Sequence, residues 1–515
     1  MAPHPSPAPS RSPGPDGPGR SAESADAATQ KRRSRMPRPR QRQVIGACIL
    51  AIATLPATTS AQVDERQLER IVRQIEETSR PRIDPRLSLT ERSLVEVGGY
   101  AGFAAIFLTD STNNSRRLYQ PEVTLYSRAI IDGGHTFFAR ARFQYRDFSE
   151  GDSFDGRGDR WREPFFERWW YEFDLASLMA GESGIEPRGN VNVRVGRQFV
   201  DWGQGLALSE QLYAIRPNFS WERFSLEGLF GQTPDDESII DFDASRRGYN
   251  RDTKRRFYGG LLRYTAADDS QFYGFVLHTE DRNGTSRPRA PIGDVDFEYN
   301  ATYFGIGADG AFTPQLRYNA EFVYQIGDSR SDPLRSLGNQ SKEDIRAWAL
   351  SARLAYFFRG EHRPFVYFET IAASGDDDRL VTTDTVGGNR PGTNDTAFNS
   401  LGFANTGLAF SPALSNILVF RTGGAFFPFP QEGLFRDLQL GVDLILHNKL
   451  DADAPIEERT SNSMFLGFET DLILNWRITH DLSFVGRYGI FFPGDAIETT
   501  SSTRQFIYAG LTLSF

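Results

Sequence analysis

The chain of 515 residues holds one cysteine, Cys48, and four methionines. A lone cysteine excludes a disulfide framework and a cysteine-based zinc site. Long apolar runs are also missing. One short apolar run, 44–55, falls short of the ~20 residues a spanning helix needs. Mean hydropathy is −0.45, too polar for a bundle of membrane helices. There is no Gly-x-Ser-x-Gly elbow and no His-Glu-x-x-His pair, so catalysis is not expected. Histidines 135, 278, 362, 447 and 480 are scattered, and three of them (135, 362 and 480) fall near expected turns. What is abundant is aromatic and small: 41 Phe, 18 Tyr, 7 Trp and 47 Gly. Two classes remain, a large soluble all-β protein or an outer-membrane β-barrel whose apolar surface hides in alternate residues.

The N-terminal part speaks for export. Residues 1–35, rich in Pro, Ser, Gly and Arg, cannot bury a core and are expected to be disordered. Lys31, Arg32, Arg33, Arg35, Arg38, Arg40 and Arg42 precede the apolar run, and Ala57-Thr58-Thr59-Ser60-Ala61 follows it. That is the order of a secretory signal, here 36–61, with cleavage expected after Ala61 and Met36 as an alternative start. Ile45-Gly46-Ala47-Cys48 stands at the beginning of the apolar run, whereas a lipoprotein box ends one. Residues 1–61 carry 9 Lys/Arg and 3 Asp/Glu, so the remainder holds 49 basic and 64 acidic residues, a net −15. A general nucleic-acid binder is thereby disfavoured. Residues 62–93 read as a periplasmic segment, in which Leu68, Ile71, Val72 and Ile75 mark a short helix that Pro81 and Pro85 end.

Over 94–515 the period is two. Phe137, Ala139, Ala141, Phe143 and Tyr145 alternate with Phe138, Arg140, Arg142, Gln144 and Arg146. Similar runs are 316–325, 438–447 and 466–477, with Leu466 and Phe468 on the apolar face. A strand sends such residues to opposite sides. Long polar connections near 109–119, 147–163, 232–254, 280–298, 328–344, 373–412, 449–462 and 491–504 alternate with short ones. The short ones are Asp132-Gly133-Gly134, Pro217-Asn218, Ala266–Ser270, Thr313-Pro314, Arg359–His362, Pro428–Gly433 and Thr479–Asp481, with 176–190 as a long exception. Residues 507–515 alternate up to Phe515, a terminal strand that would invite aggregation on a soluble protein. The pattern predicts an all-β fold: a transmembrane antiparallel barrel of about 18 strands, with short periplasmic turns and long extracellular loops. A barrel of that width leaves an aqueous channel. Trp169, Trp170, Tyr171, Trp348, Tyr356 and Trp476 are expected in aromatic girdles.

Alternation also assigns the lumen. Arg140, Arg142, Arg146, Arg168, Arg194, Arg263, Arg353, Arg421 and Arg487 point inward, as do Glu469 and Asp471. A charge on the lipid face costs ~2–4 kcal/mol at midplane, which supports that assignment. Guanidinium groups are always charged and grip carboxylates bidentately, so the set reads as an anion-attracting path of weak, repeated sites. Arg140, Arg142, Arg146 and Arg194 lead because their own strands supply few inward acids. Glu172, Asp174, Glu321 and Glu369 also face inward, so cross-strand Arg–carboxylate pairs are a second reading of the same residues. Asp376-Asp377-Asp378 and Asp235-Asp236-Glu237 suit Ca²⁺, though such runs are more often solvated loop tips. Asn283-Gly284-Thr285 fits a glycosylation pattern that has no meaning in a bacterial outer membrane.

Five segments carry a family resemblance: Val195-Gly196-Arg197-Gln198 with Trp202-Gly203; Ala373-Ser374-Gly375-Asp376; Phe398-Asn399-Ser400-Leu401-Gly402; Gly467-Phe468-Glu469-Thr470-Asp471; and Phe491-Phe492-Pro493-Gly494-Asp495. Over roughly 95–515 the chain is similar to the alginate export family of outer-membrane barrels. The resemblance implies a monomeric 18-stranded barrel. It implies passage of an anionic, alginate-like exopolysaccharide through a constricted Arg-rich lumen, with loops or turns as gates. The expected partners are that polymer, outer-membrane lipid and a periplasmic scaffold protein; no cofactor or metal is expected. The alternative is a solute-uptake porin with anion preference. A barrel enzyme or adhesin is a third class, which a Ser–His–acid cluster at the membrane boundary would favour.

Overall fold

The computed structural model describes residues 93–149, 159–184, 187–234, 254–268, 270–282, 298–332, 340–379, 389–431 and 433–515. The signal, the helix expected at 62–80, Asp235-Asp236-Glu237 and Asn283-Gly284-Thr285 lie outside them.

Eighteen strands follow in order: β1 (Leu94–Thr109), β2 (Ser115–Ile131), β3 (His135–Phe148), β4 (Arg160–Asp174), β5 (Gly189–Asp201), β6 (Ser209–Trp221), β7 (Phe224–Gln232), β8 (Arg255–Thr265) and β9 (Gln271–Asp281). The second half comprises β10 (Tyr299–Ala311), β11 (Leu316–Arg330), β12 (Lys342–Phe357), β13 (Phe365–Ala373), β14 (Ile417–Phe426), β15 (Leu438–Asn448), β16 (Phe465–Arg477), β17 (Leu482–Pro493) and β18 (Arg504–Ser514). Each pairs antiparallel with the next. β1 also pairs with β18, from Tyr100↔Ser514 to Leu108↔Phe506, so the sheet closes. Gly99 and Phe515 exchange two 2.9 Å backbone hydrogen bonds at the seam. Closure leaves the sheet without a free edge strand, so the ladders pair strand to strand rather than with water, the condition hydrocarbon imposes.

Side-chain exposure follows the period. Val442, Leu444 and Leu446 are 42–43% exposed, whereas Asp443, Ile445 and His447 between them are buried. The greasy set faces outward, where lipid covers it. Aromatic rings collect at the short-turn rim: Phe312 on Tyr318 at 4.4 Å, Tyr356 on Phe358 at 4.8 Å, Phe435 on Trp476 at 5.1 Å. Trp476 also donates to the Leu434 carbonyl. Trp169 is outward, but Trp170 turns inward and stacks on Phe138 at 5.3 Å, because neighbours in a strand cannot share a face.

Three local expectations need correction. The sixth strand does not turn at Pro217-Asn218 but runs through to Trp221, and Glu222-Arg223 makes the turn, with Glu222 left-handed at φ 51°. Pro217 sits where the β6–β7 ladder skips from Ile215↔Phe230 to Asn218↔Glu227, so its missing N–H breaks nothing. Gly228 faces it, and a Cβ there would lie 3.1 Å from the proline ring. The connection at 109–119 is only 110–114, because Asp110 folds it tightly by accepting from the Thr112 and Asn114 N–H groups at 2.9 Å. Leu466 is not on the lipid face: the β15–β16 register shifts at His447/Asn448, Gly467 is left-handed, and Leu466 is fully buried. Residues 176–190 hold a helix, α1 (Leu175–Ser183), capped by the Asp174 carboxylate and ended by left-handed Gly184.

Candidate functional site

The connection from β13 to β14 does not stand away from the barrel; it folds into it. At its start the Arg379 and Asp395 side chains pair at 2.6 Å, both almost wholly buried. Asp395 is stitched to β12 through its N–H to the Asp344 carbonyl and through the Arg346 N–H to its own carbonyl, both 2.8 Å. Asn399 then meets two wall residues: its N–H donates to Gln325 at 3.0 Å, and Tyr303 donates to its carbonyl at 2.8 Å. Gln325 and Tyr303 are lumen residues, since Tyr324 and Phe304 beside them are exposed to lipid. On the far side, the N–H groups of Leu408, Ala409 and Phe410 donate to Glu469 at 2.6, 2.7 and 2.9 Å. Arg421 donates to the Asn405 carbonyl at 2.7 Å. The segment 395–410 therefore lies across the lumen, from the β10–β12 wall to the β14–β16 wall.

A second loop, 202–208, meets it midway. Ser400 donates to the Leu206 carbonyl at 2.6 Å, and Phe403 N–H to the Gly205 carbonyl at 2.8 Å. A side chain at 402 would overlap the Gly205 carbonyl, so the two backbones approach this closely only through Gly402. Loop 202–208 is itself held by Glu321, which accepts from Gln204 N–H at 2.6 Å and from the Tyr273 hydroxyl at 2.7 Å. Trp202 donates to Glu227 at 2.9 Å. Apolar packing supports these bonds. Trp202, Leu206, Leu208, Phe398 and Leu401 share a buried cluster with wall residues such as Phe257, Tyr303 and Val323. Leu408 packs on Ile106, Leu118 and Phe506, and Phe410 on Leu466 and Phe491. Burial on this scale gives the loops a fixed position in the bore.

The residues singled out from sequence fall into two groups. On β3–β8, Arg140 and Arg142 share Glu167 at 3.0 and 2.6 Å, all buried. Arg194 pairs with Glu172 at 2.6 Å and lies 4.1 Å over Trp170, with 20% of its side chain exposed. Arg168 is buried over Phe199, and Arg146 bonds Gln144 at 3.1 Å. Arg263 is 3.8 Å from Glu227 and one-third exposed. Glu227 also binds Arg216 at 2.6 Å, a residue sequence reasoning missed because it stood beside the misplaced turn. Glu167 was missed because bulges around Arg140/Ala141 shift the β3–β4 register. The acids that pair with Arg140, Arg142 and Arg194 come from the neighbouring strand β4, so counting acids on their own strands misjudged them.

On β12–β17 the balance is more acidic. Arg421 binds Glu369 at 2.9 Å, and Arg353 lies 3.8 Å over Tyr367. Arg487 donates to Asn475 at 2.9 Å. Glu469 anchors the crossing loop, and Asp471, buried beside it, stands opposite Asp443 across the ladder. His447 is buried between Phe410 and Phe491, 3.6 Å from Glu469. The carboxylate oxygens of Asp376, Asp377 and Asp378 come within 4.8 Å of one another. Asp376 is buried rather than at a solvated tip, and it accepts the N–H groups of Thr396 and Asp378 at 2.8 Å, so it ties the loop to its own start.

One loop anchor is tuned to titrate. Glu457 accepts the Ala413 N–H at 3.3 Å. Burial pushes its pKa up to about 7, with the Ala413 bond opposing and neighbouring Glu458 adding to the rise. A raised folded-state pKa gives stability that is full below the unfolded value and lost as pH rises through the folded one. The tail of the crossing loop should therefore loosen between pH 5 and 8. Protease cutting within 405–416 should increase over that range, and Glu457→Gln should flatten the dependence.

A closed antiparallel barrel with a lipid-facing apolar coat, a polar bore and loops folded across it defines a channel-forming protein of the bacterial outer membrane. A family model described as alginate export matches residues 173–508, and the chain belongs to that family. A search of curated proteins finds no match. Among solved structures, the chain is similar to Pseudomonas aeruginosa OccK11 (OpdR), at 12% identity, covering 82% of this chain and 96% of that one with a TM-score of 0.48. It is similar also to OccK5 (OpdH) of the same organism, at 11% identity, 83% and 100% coverage and a TM-score of 0.48. A third is OpdK with vanillate, at 9% identity, 82% and 98% coverage and a TM-score of 0.48.

Proposed function

We propose that this channel exports an anionic, alginate-like exopolysaccharide, working as a monomer downstream of a periplasmic scaffold protein. In this reading residues 1–61 are the leader and signal, 62–93 a periplasmic segment and 94–515 the barrel. The carrying observation is the charge balance of the β3–β8 wall. Glu167 lies between Arg140 and Arg142, and Glu227 between Arg216 and Arg263, so each of these carboxylates meets two guanidinium groups. Arg194 and Arg263 keep part of their side chains exposed toward a passing carboxylate, while the buried Arg140, Arg142 and Arg168 contribute field rather than contact. Arg146, Arg353, Arg421 and Arg487 extend the path, and Glu469 and Asp471 mark its acidic margin. Each site is already partly neutralised, so a carboxylate binds weakly enough to leave and a polymer can slide. Deleting the gene in a polymer-secreting strain should abolish secreted uronic-acid polymer, with the polymer retained in the periplasm or degraded there. Undiminished secretion overturns the proposal.

A further inference from the structure

Two lumen carboxylates, Glu469 and Glu321, are each used to hold a loop by its backbone N–H groups. In Glu469 the arrangement is complete. Three successive N–H groups, of Leu408, Ala409 and Phe410, converge on one carboxylate at 2.6–2.9 Å. Successive amides aimed at one point form a concave anion site, of the kind that takes phosphate or carboxylate ligands. Here the occupant belongs to the chain itself. Glu469 is fully buried, and the site is walled by Phe410, His447 and Phe491. Arg421, which also holds the loop through the Asn405 carbonyl, stands on β14, two strands from Glu469.

We infer that the 408–410 amide nest is a uronate-carboxylate site, and that Glu469 occupies it as an internal stand-in that keeps the loop across the bore. This rests on the export reading and adds to it a trigger: the cargo's own carboxylate competes with Glu469 for the nest. A single monocarboxylate competes poorly, because Glu469 is tethered and enjoys a high effective concentration. A polyuronate advancing through the bore presents many carboxylates at once and removes that disadvantage. Once Glu469 is displaced, the loop loses its hold on the β16 wall and swings on the Arg379–Asp395 end.

The full chain in planar bilayers tests this, with an oligogalacturonate and a neutral malto-oligosaccharide of equal length as probes. The oligogalacturonate should raise the open probability of the wild type about tenfold or more, the scale of losing one charge-assisted bond between Glu469 and the loop. The neutral oligomer should leave it unchanged. Glu469→Gln turns one acceptor oxygen into an NH₂ that faces an N–H, and this variant should be open without any probe. Ala409→Pro deletes one N–H from the loop side and leaves the barrel wall untouched, so it should shift in the same direction. No response to the oligogalacturonate, or an equal response to the neutral oligomer, overturns the inference. Reversal potentials from the same recordings report the anion path separately. An anion-selective channel that ignores the probe sinks the trigger alone. A non-selective channel opened by Glu469→Gln and by the probe sinks the export reading alone.

Discussion

Replacing residues 397–411 with a short Gly-Ser linker should raise the single-channel conductance several-fold. The bore of an 18-stranded barrel is too wide for its wall side chains to fill, so what narrows it is the material folded inside. That material is the segment 395–410, which reaches from Gln325 and Tyr303 to Glu469, and loop 202–208 beneath it. The excision keeps both ends of the loop, Asp395 on β12 and Asn416 bonded to the Ala454 carbonyl at 2.6 Å, so the barrel's own ladder is untouched. Ion selectivity should survive, because the β3–β8 arginines stand on strands. Planar-bilayer recording reads both quantities. An unchanged conductance would mean that the loop does not set the bore.

Asp395→Ala should release the same loop from its other end. Asp395 is wholly buried, and it binds Arg379 through two nitrogens at 3.1 and 2.6 Å and the Ser329 hydroxyl at 3.0 Å. Removing one member of a buried ion pair costs about 3–5 kcal/mol. Asp376, which also acts on Arg379, is committed to Thr396 and Asp378. The cost falls on the loop rather than on the barrel, since Arg379 and Asp395 both lie outside the strands. Amide hydrogen exchange of 395–403 should accelerate by about a hundredfold or more, while the strand amides keep their protection. Unchanged exchange would show that the stitching to Asp344 and Arg346 suffices alone.

Strands were legible because their signal is local. Alternation in 137–146 or 438–447 needs no knowledge of partners, and connection length separates the two rims. It misled where a local irregularity breaks the period: Pro217 suggested a turn inside β6, and the bulge at Gly467 sent Leu466 inward. The arginines singled out from alternation lie on the strands where that alternation put them. Their partners were not legible, because Glu167 sits in a bulge and Glu227 reaches across to β6 and to loop 202–208. The crossing loop was hidden most completely. Its bonds join residues far apart in sequence, such as Ser400 to Leu206 and Phe410 to Glu469. One signal did exist. Phe398, Leu401, Phe403, Leu408 and Phe410 are too greasy for a loop meant to sit in water. An apolar long loop on a barrel is a loop with somewhere to fold.

The bore should pass a polyanion faster than a neutral chain of the same size. Proteoliposomes of the purified full chain, loaded with equal amounts of labelled oligogalacturonate and labelled malto-oligosaccharide of one length, test it directly. Faster release of the oligogalacturonate, with the preference falling as salt screens the wall, is the expected result. Equal release, or faster release of the neutral oligomer, would contradict it.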